Sequence, residues 1–255
     1  ILSNMGRYST ELTSLFLKSY GIKSKALPVA DEFTVQIAKS VSSGKECLPS
    51  HLVLGSFLQF LNSKDYDKDN IYLFFVPTTT GPCRTGQYNI FFKKIISDLK
   101  IDNVIVFSLD SDNSYNELGK GFSKNVWWSL VIADYLKDIE SSLRVCAKDT
   151  TNALETFENS WQKYISECSK DFKKTIPFLK NFAESLQKIP LKQDPKSTKK
   201  ILIVGEIYVR RDDFATSELI KLFSEKGIIC KVSGISEWIY YCDYVRRNEI
   251  YNSNY

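Results

Sequence analysis

The chain has 255 residues, 43% of them hydrophobic and 25% charged, a globular composition with length for one large domain or two ordinary ones. Its 34 basic and 30 acidic residues leave a net charge of +4 spread along the chain, with no long basic run of the kind that marks nucleic-acid binding. No apolar stretch approaches the roughly 20 residues of a membrane span, and Ile1-Leu2-Ser3-Asn4 lacks signal-peptide architecture, so the expected setting is cytoplasmic, with reduced thiols.

Residues 1–3 read as a short strand, and Asn4-Met5-Gly6-Arg7 as a turn. A helix then opens at Ser9-Thr10-Glu11 and ends at Gly21, with Leu12, Leu15, Phe16 and Tyr20 at amphipathic spacing. Residues 25–29 predict a second strand, Asp31 caps a helix to about Ser42, and 52–61 are helical again. Ile71-Tyr72-Leu73-Phe74-Phe75-Val76 is a continuous apolar run of the kind buried in parallel sheets. After a Thr/Gly/Pro loop come a helix from about Gln87 to Leu99 and a buried strand over 104–109. This βαβ alternation predicts an open parallel sheet.

From 121 to 189 no strand pattern occurs, and Trp127, Leu130, Val131, Leu154, Phe157, Trp161 and Tyr164 fall on the faces of two or three long helices. Residues 189–196, polar and holding Pro190 and Pro195, read as a linker. Strands are expected again at 200–206 and 228–232, with helices at 214–226 and around 238–246. The fold class is α/β: a Rossmann-like parallel-sheet domain over 1–120, a helical section and linker over 121–195, and a second, incomplete α/β domain over 196–255. The non-Met start and the helical last residues suggest a piece of a larger protein.

The six cysteines, Cys47, Cys83, Cys146, Cys168, Cys230 and Cys242, include no CxxC pair, which excludes a zinc ribbon or thioredoxin motif. Two of them lie in loops of unusual composition. One is Ser43-Gly44-Lys45-Glu46-Cys47-Leu48-Pro49; the other is Pro77-Thr78-Thr79-Thr80-Gly81-Pro82-Cys83-Arg84-Thr85-Gly86-Gln87-Tyr88, directly after a buried strand. Ligand sites in parallel α/β sheets form beyond the carboxyl ends of the strands, where Cys83 falls. Thiolates bind soft metals and iron–sulfur clusters, and nearby cations and amides favour the ionised form. Lys45 and Arg84 supply cations, and Gly44 and Gly81, the latter followed by Pro82, let the backbone approach sulfur. Cys47 and Cys83 are therefore candidate metal ligands, and Gly44, Lys45, Gly81, Pro82 and Arg84 candidate cofactor contacts. The plainer reading is that each cysteine is a small buried hydrophobe, and the Cys47–Cys83 separation matches no compact cluster motif.

The remaining features read more plainly. Cys146, Cys168, Cys230 and Cys242 are taken as core or surface residues. Glu206 and Arg210 are either a pocket pair or a tie between loops. His51, the only histidine, is expected on the surface near a helix N-terminus. Trp127-Trp128 and the Trp161/Tyr164 face read as helix-packing core, and Tyr240-Tyr241-Cys242-Asp243-Tyr244 as a helix–domain contact.

Taken together, Asn4-Met5-Gly6-Arg7-Tyr8-Ser9-Thr10-Glu11-Leu12, the two cysteine loops, Gly205-Glu206-Ile207-Tyr208-Val209-Arg210 and Glu237-Trp238 resemble a known set. They are similar to the C-terminal region of acyl-CoA dehydratase activases, or activators of (R)-2-hydroxyglutaryl-CoA dehydratase, in the 2-hydroxyacyl-CoA dehydratase superfamily. The resemblance covers nearly the whole chain in order and is most specific around Cys83. It implies that Cys47 and Cys83 match the first two cysteine ligands of a [4Fe–4S] cluster. It further implies that a third cysteine, an ATP-binding module and other iron–sulfur domains belong to the parent protein, with acyl-CoA as substrate. No GxxxxGK[ST] loop is present, and Leu118-Gly119-Lys120-Gly121 is too weak to count, so the chain is expected neither to hydrolyse ATP nor to complete a cluster alone. A non-catalytic α/β scaffold or regulatory module binding a small anion or a partner is the alternative. A thiol enzyme using Cys47 or Cys83 is disfavoured, because one histidine must serve as base.

Overall fold

The computed structural model describes residues 1–79, 82–108 and 121–252. Gly81, the expected strand end at Leu109, and Leu118, Gly119 and Lys120 lie outside the described residues. The chain is mixed α/β and mostly helical, in two compact units: Ile1–Val126 with Asp212–Ala215, and Trp127–Arg211 with Thr216–Tyr255.

The first unit contains α1 (Arg7–Ser19), α2 (Glu32–Ser40), α3 (Leu48–Leu61), β1 (Tyr72–Phe75), α4 (Tyr88–Asp98) and β2 (Val104–Phe107). β1 and β2 pair in parallel, with Tyr72 opposite Val104 and Phe75 opposite Phe107. The strands expected at 1–3 and 25–29 are reduced to single bridges, because Leu2 alone pairs with Ala26 on one side and Phe75 on the other. Leu2 N donates to Lys25 O at 2.9 Å, Leu27 N to Leu2 O at 2.9 Å and Phe75 N to Ile1 O at 3.1 Å. The neighbour order is thus 25–27, 1–3, β1, β2.

Local chemistry sets the helix starts. Gly6 at φ 88° makes the turn that lets α1 begin at Arg7, ahead of the expected Ser9. Asp31 caps α2 in a reciprocal box, accepting from Thr34 N at 2.8 Å while Asp31 N donates to Thr34 Oγ1 at 2.9 Å. At the α2–α3 crossing Gly55 lies so close to Thr34 that a Cβ there would run into the Thr34 carbonyl. Phe74 of β1 is fully buried between Phe57 of α3 and Phe92 of α4, with ring centroids at 4.5 and 5.9 Å. Both helices thus pack on one face of the strand. On the other face Phe75 and Phe107 pack against Leu2, Leu17 and Phe122.

The second unit holds most of α5 (Phe122–Cys146), then α6 (Thr150–Lys170), α7 (Thr175–Leu186), β3 (Lys200–Ile203), most of α8 (Asp213–Glu225), β4 (Ile229–Val232) and α9 (Ile235–Asn252). β3 and β4 pair in parallel, with Lys200 opposite Ile229. Trp161 and Tyr164 of α6 are buried against Phe182 of α7 at 6.1 and 6.0 Å. Residues 189–196, read as a linker, are held to the end of α5: Lys192 N donates to Cys146 O at 2.8 Å and Lys148 N to Pro190 O at 3.0 Å. Trp128, expected in a helix-packing core, is 41% exposed, and Trp127 meets Tyr240 edge-on at 5.2 Å. Of the cysteines read as core or surface residues, Cys146, Cys168 and Cys230 are buried and Cys242 is half-buried. Among the described residues no helix is long and apolar enough to cross a membrane.

Candidate functional site

Because α3 and α4 pack on the same face of β1, their first residues come together. Cys47 is the N-cap residue of α3, with Pro49 in the first turn. Cys83 precedes a 3-10 turn, Arg84–Gln87, that runs directly into α4 at Tyr88. Arg84 Nη1 donates to Lys45 O at 3.0 Å and fastens one cysteine loop to the other. Gly86 permits the turn, since a Cβ there would stand 2.5 Å from the Thr79 carbonyl.

Each sulfur meets a hydroxyl. Cys47 Sγ lies 2.8 Å from the Tyr88 hydroxyl, and Cys83 Sγ lies 3.1 Å from Thr85 Oγ1. Tyr88 is buried and its ring is braced by Phe92 at 5.4 Å. Burial, followed by the Cys47 hydrogen bond, raises the phenol pKa, so Tyr88 keeps its proton as a donor.

An open cavity of about 350 Å³ adjoins Cys47 and Tyr88, lined also by Lys45, Glu46, Arg84 and Phe91 among others. Cys83 is exposed and does not line it. Of the other residues named from sequence, Gly44 sits at φ 76° in the Cys47 loop with open space at its Cβ, and Pro82 is exposed beside Cys83. Lys45 and Arg84 both reach the cavity.

Sequence reasoning singled out neither hydroxyl, although both stand in the quoted Cys83 motif; their spacing of three on a tight turn is the signal that places them on one side. His51 is 4% exposed and not on the surface as expected. It is enclosed by Ser42 Oγ at 3.2 Å and Glu46 Oε2 at 3.6 Å from Nε2. Burial opposes ionisation of Glu46, but hydrogen bonds from the Ser43 hydroxyl and backbone amides, with His51, bring its carboxyl down to about 2. Glu46 thereby anchors the loop that carries Cys47: its Oε1 accepts from Ser43 Oγ at 2.8 Å.

Glu206 and Arg210 form a tie between loops. Arg210 donates to Gly205 O at 2.7 Å, Ser233 O at 3.0 Å and Gly234 O at 3.2 Å, bracing the ends of β3 and β4. Glu206 accepts from Val209 N at 2.8 Å.

An iron–sulfur cubane is held by cysteine thiolates. Cys47 and Cys83 are thiols on two loops linked by the Arg84–Lys45 contact, and only Cys47 lines the cavity. Among the described residues no group of three His, Cys, Asp or Glu side chains is placed to hold a metal ion. No protein-family model, curated protein or solved structure matches the chain.

Proposed function

We propose that the chain is the cluster-binding portion of an ATP-driven, low-potential electron-transfer system related to (R)-2-hydroxyacyl-CoA dehydration. The observation that carries this reading is the fastening of two chain-distant cysteine loops to each other by the Arg84–Lys45 contact, with Cys47 at an open cavity. Two thiolates supply half the ligands of a [4Fe–4S] cluster. The other ligands, the ATPase and the acyl-CoA site belong in this reading to partner domains, in the cytoplasm. The parallel order of segments 25–27, 1–3, β1 and β2 supports a Rossmann-like reading of residues 1–120.

When bound, the cluster supplies a one-electron carrier. The chain's own residues hold and orient it: Cys47 and Cys83 bind iron, and Lys45 and Arg84 offset its negative charge. Tyr88 and Phe91 limit water on one side of Cys47.

Anaerobic reconstitution of the 255-residue chain with ferrous iron, sulfide and a small thiol to fill open iron sites tests the reading. The expected product is brown, with the broad visible absorbance of an iron–sulfur cluster. A Cys47→Ala/Cys83→Ala double variant with unchanged circular dichroism should lose it. Equal iron and sulfide content in that variant would overturn the assignment.

A second reading, a scaffold or regulatory module binding a small anion, is favoured by the presence of both Lys45 and Arg84 at the cavity. Calorimetric binding of phosphate or coenzyme A without iron, lost in a Lys45→Ala/Arg84→Ala variant, would support it if the wild type formed no cluster.

A further inference from the structure

We infer that the cavity at the start of α3 is a site for a small organic phosphate. Its phosphate sits on the Ser50 hydroxyl and the first-turn amides of α3, and its organic part lies against Phe91. The inference rests on the anion-binding reading above and deepens it by naming the ligand class and the groups that hold it.

Three observations carry it. First, α3 is 14 residues long, and its N-cap residue, Cys47, makes no side-chain hydrogen bond to the first turn. Pro49 has no N–H, and the amides of Leu48 and Ser50 donate to no group among the described residues. Unused amides at a helix start, with the positive end of the helix dipole, favour phosphate. Second, Ser50 is 2% exposed and lines the cavity, and its hydroxyl has no hydrogen-bond partner among the described residues. A buried hydroxyl is ordinarily bonded, so an unused one at a cavity wall marks the place of a ligand oxygen. Third, Lys45 and Arg84 line the same cavity and bring two positive charges to it.

Glu46 is the acid of the described lining, and its oxygens are turned to its own loop. Oε1 accepts from Ser43 Oγ at 2.8 Å, and Oε2 lies 3.6 Å from His51 Nε2. A phosphate dianion therefore meets two cations, two amides and a hydroxyl against one carboxylate that is already engaged. The cavity volume of about 350 Å³ suits a small molecule rather than a bare ion, and half-buried Phe91 supplies an apolar wall.

Calorimetry of the reduced, iron-free chain with inorganic phosphate and with phenyl phosphate, at constant ionic strength, tests the inference. Wild type should bind one equivalent of either, with phenyl phosphate about tenfold tighter for its buried ring. Ser50→Ala, with an unchanged thermal midpoint, should weaken both by about tenfold, the loss of one hydrogen bond to a charged group. Phe91→Ala should abolish the preference for phenyl phosphate and leave inorganic phosphate binding as it was. Alkylation by iodoacetamide, read residue by residue by mass spectrometry, places the ligand without any variant. Phenyl phosphate should slow modification of Cys47, which lines the cavity, and leave that of exposed Cys83 unchanged.

Full phosphate affinity in Ser50→Ala, equal affinity for the two ligands, or no protection of Cys47 would overturn the inference and leave the anion-binding reading standing. Failure of wild type to bind either ligand would overturn both.

Discussion

Arg84 Nη1 donates to the main-chain carbonyl of Lys45 at 3.0 Å, across 39 residues of chain. One exposed guanidinium thus spans both cysteine loops, and its removal should separate them while leaving the core intact. Arg84→Ala should change the thermal midpoint little, since such a bond contributes about 1 kcal/mol. Cobalt affinity at the cysteines should fall about tenfold. If Arg84→Lys retains full affinity, positive charge rather than the carbonyl contact is what the site needs.

Asp31 ties acid stability to the start of α2. The Thr34 amide lowers its carboxyl pKa, outweighing a smaller opposing effect of burial, and Thr34 Oγ1 and Gln59 add hydrogen bonds. A depressed folded-state pKa means the stabilisation is fully present above the ordinary carboxylate range, about 3.9. It is lost as pH falls through the lower, folded value. Asp31→Ala should cost about 1 kcal/mol at neutral pH, and urea denaturation should show the gap to wild type closing on acidification. A gap constant with pH would remove charge from the explanation.

Gly55→Ala should be far more damaging than an ordinary helical substitution. The added carbon meets the Thr34 carbonyl on α2, so the two helices must part. A loss of about 1–3 kcal/mol is expected, measurable by denaturation. An unchanged midpoint would show that α2 can shift without cost.

Asp134 holds the second unit's one ion pair with a nearly buried cation among the described residues. It sits 3.0 Å from Nη2 of Arg211, which is 3% exposed, and caps α9 by accepting from Ser236 N at 3.0 Å and Ser236 Oγ at 2.6 Å. Asp134→Ala removes the carboxylate paired with a buried guanidinium, and the α9 cap with it, and should destabilise the fold by about 3–5 kcal/mol. The double variant with Arg211→Met should recover part of that loss in the same denaturation experiment. No recovery would locate the damage in the α9 cap.

Helices and strands were legible because their signals are local, as with Asp31 before α2 and the amphipathic pattern of α6, but the apolar run at 71–76 did not mean a buried strand: Ile71 and Leu73 are 75% and 50% exposed. Segments 1–3 and 25–29 read as strands because their residues suit extended pairing, but Leu2 alone makes the bridges, and sequence does not reveal where pairing stops. The Cys47 and Cys83 loops stood out by composition. Their connection did not, because it depends on Tyr88 meeting Cys47 and Arg84 meeting Lys45 across tertiary contacts. His51 was misplaced for a similar reason: the polar neighbours that make its burial tolerable, Ser42 and Glu46, approach only once the loop folds back.

The narrow seat of Leu2 has a kinetic consequence. Ile1 donates its amine to Leu73 O at 2.8 Å, 72 residues along the chain, while Leu2 also pairs with Lys25 and Leu27. Two flanking segments must therefore meet around a peptide that has almost no structure of its own. Closing so long a loop precedes any gain from the pairing. The helices of the first unit can form early, but the sheet acquires its middle member only after β1 has been made and docked, so its assembly belongs to a late step in folding.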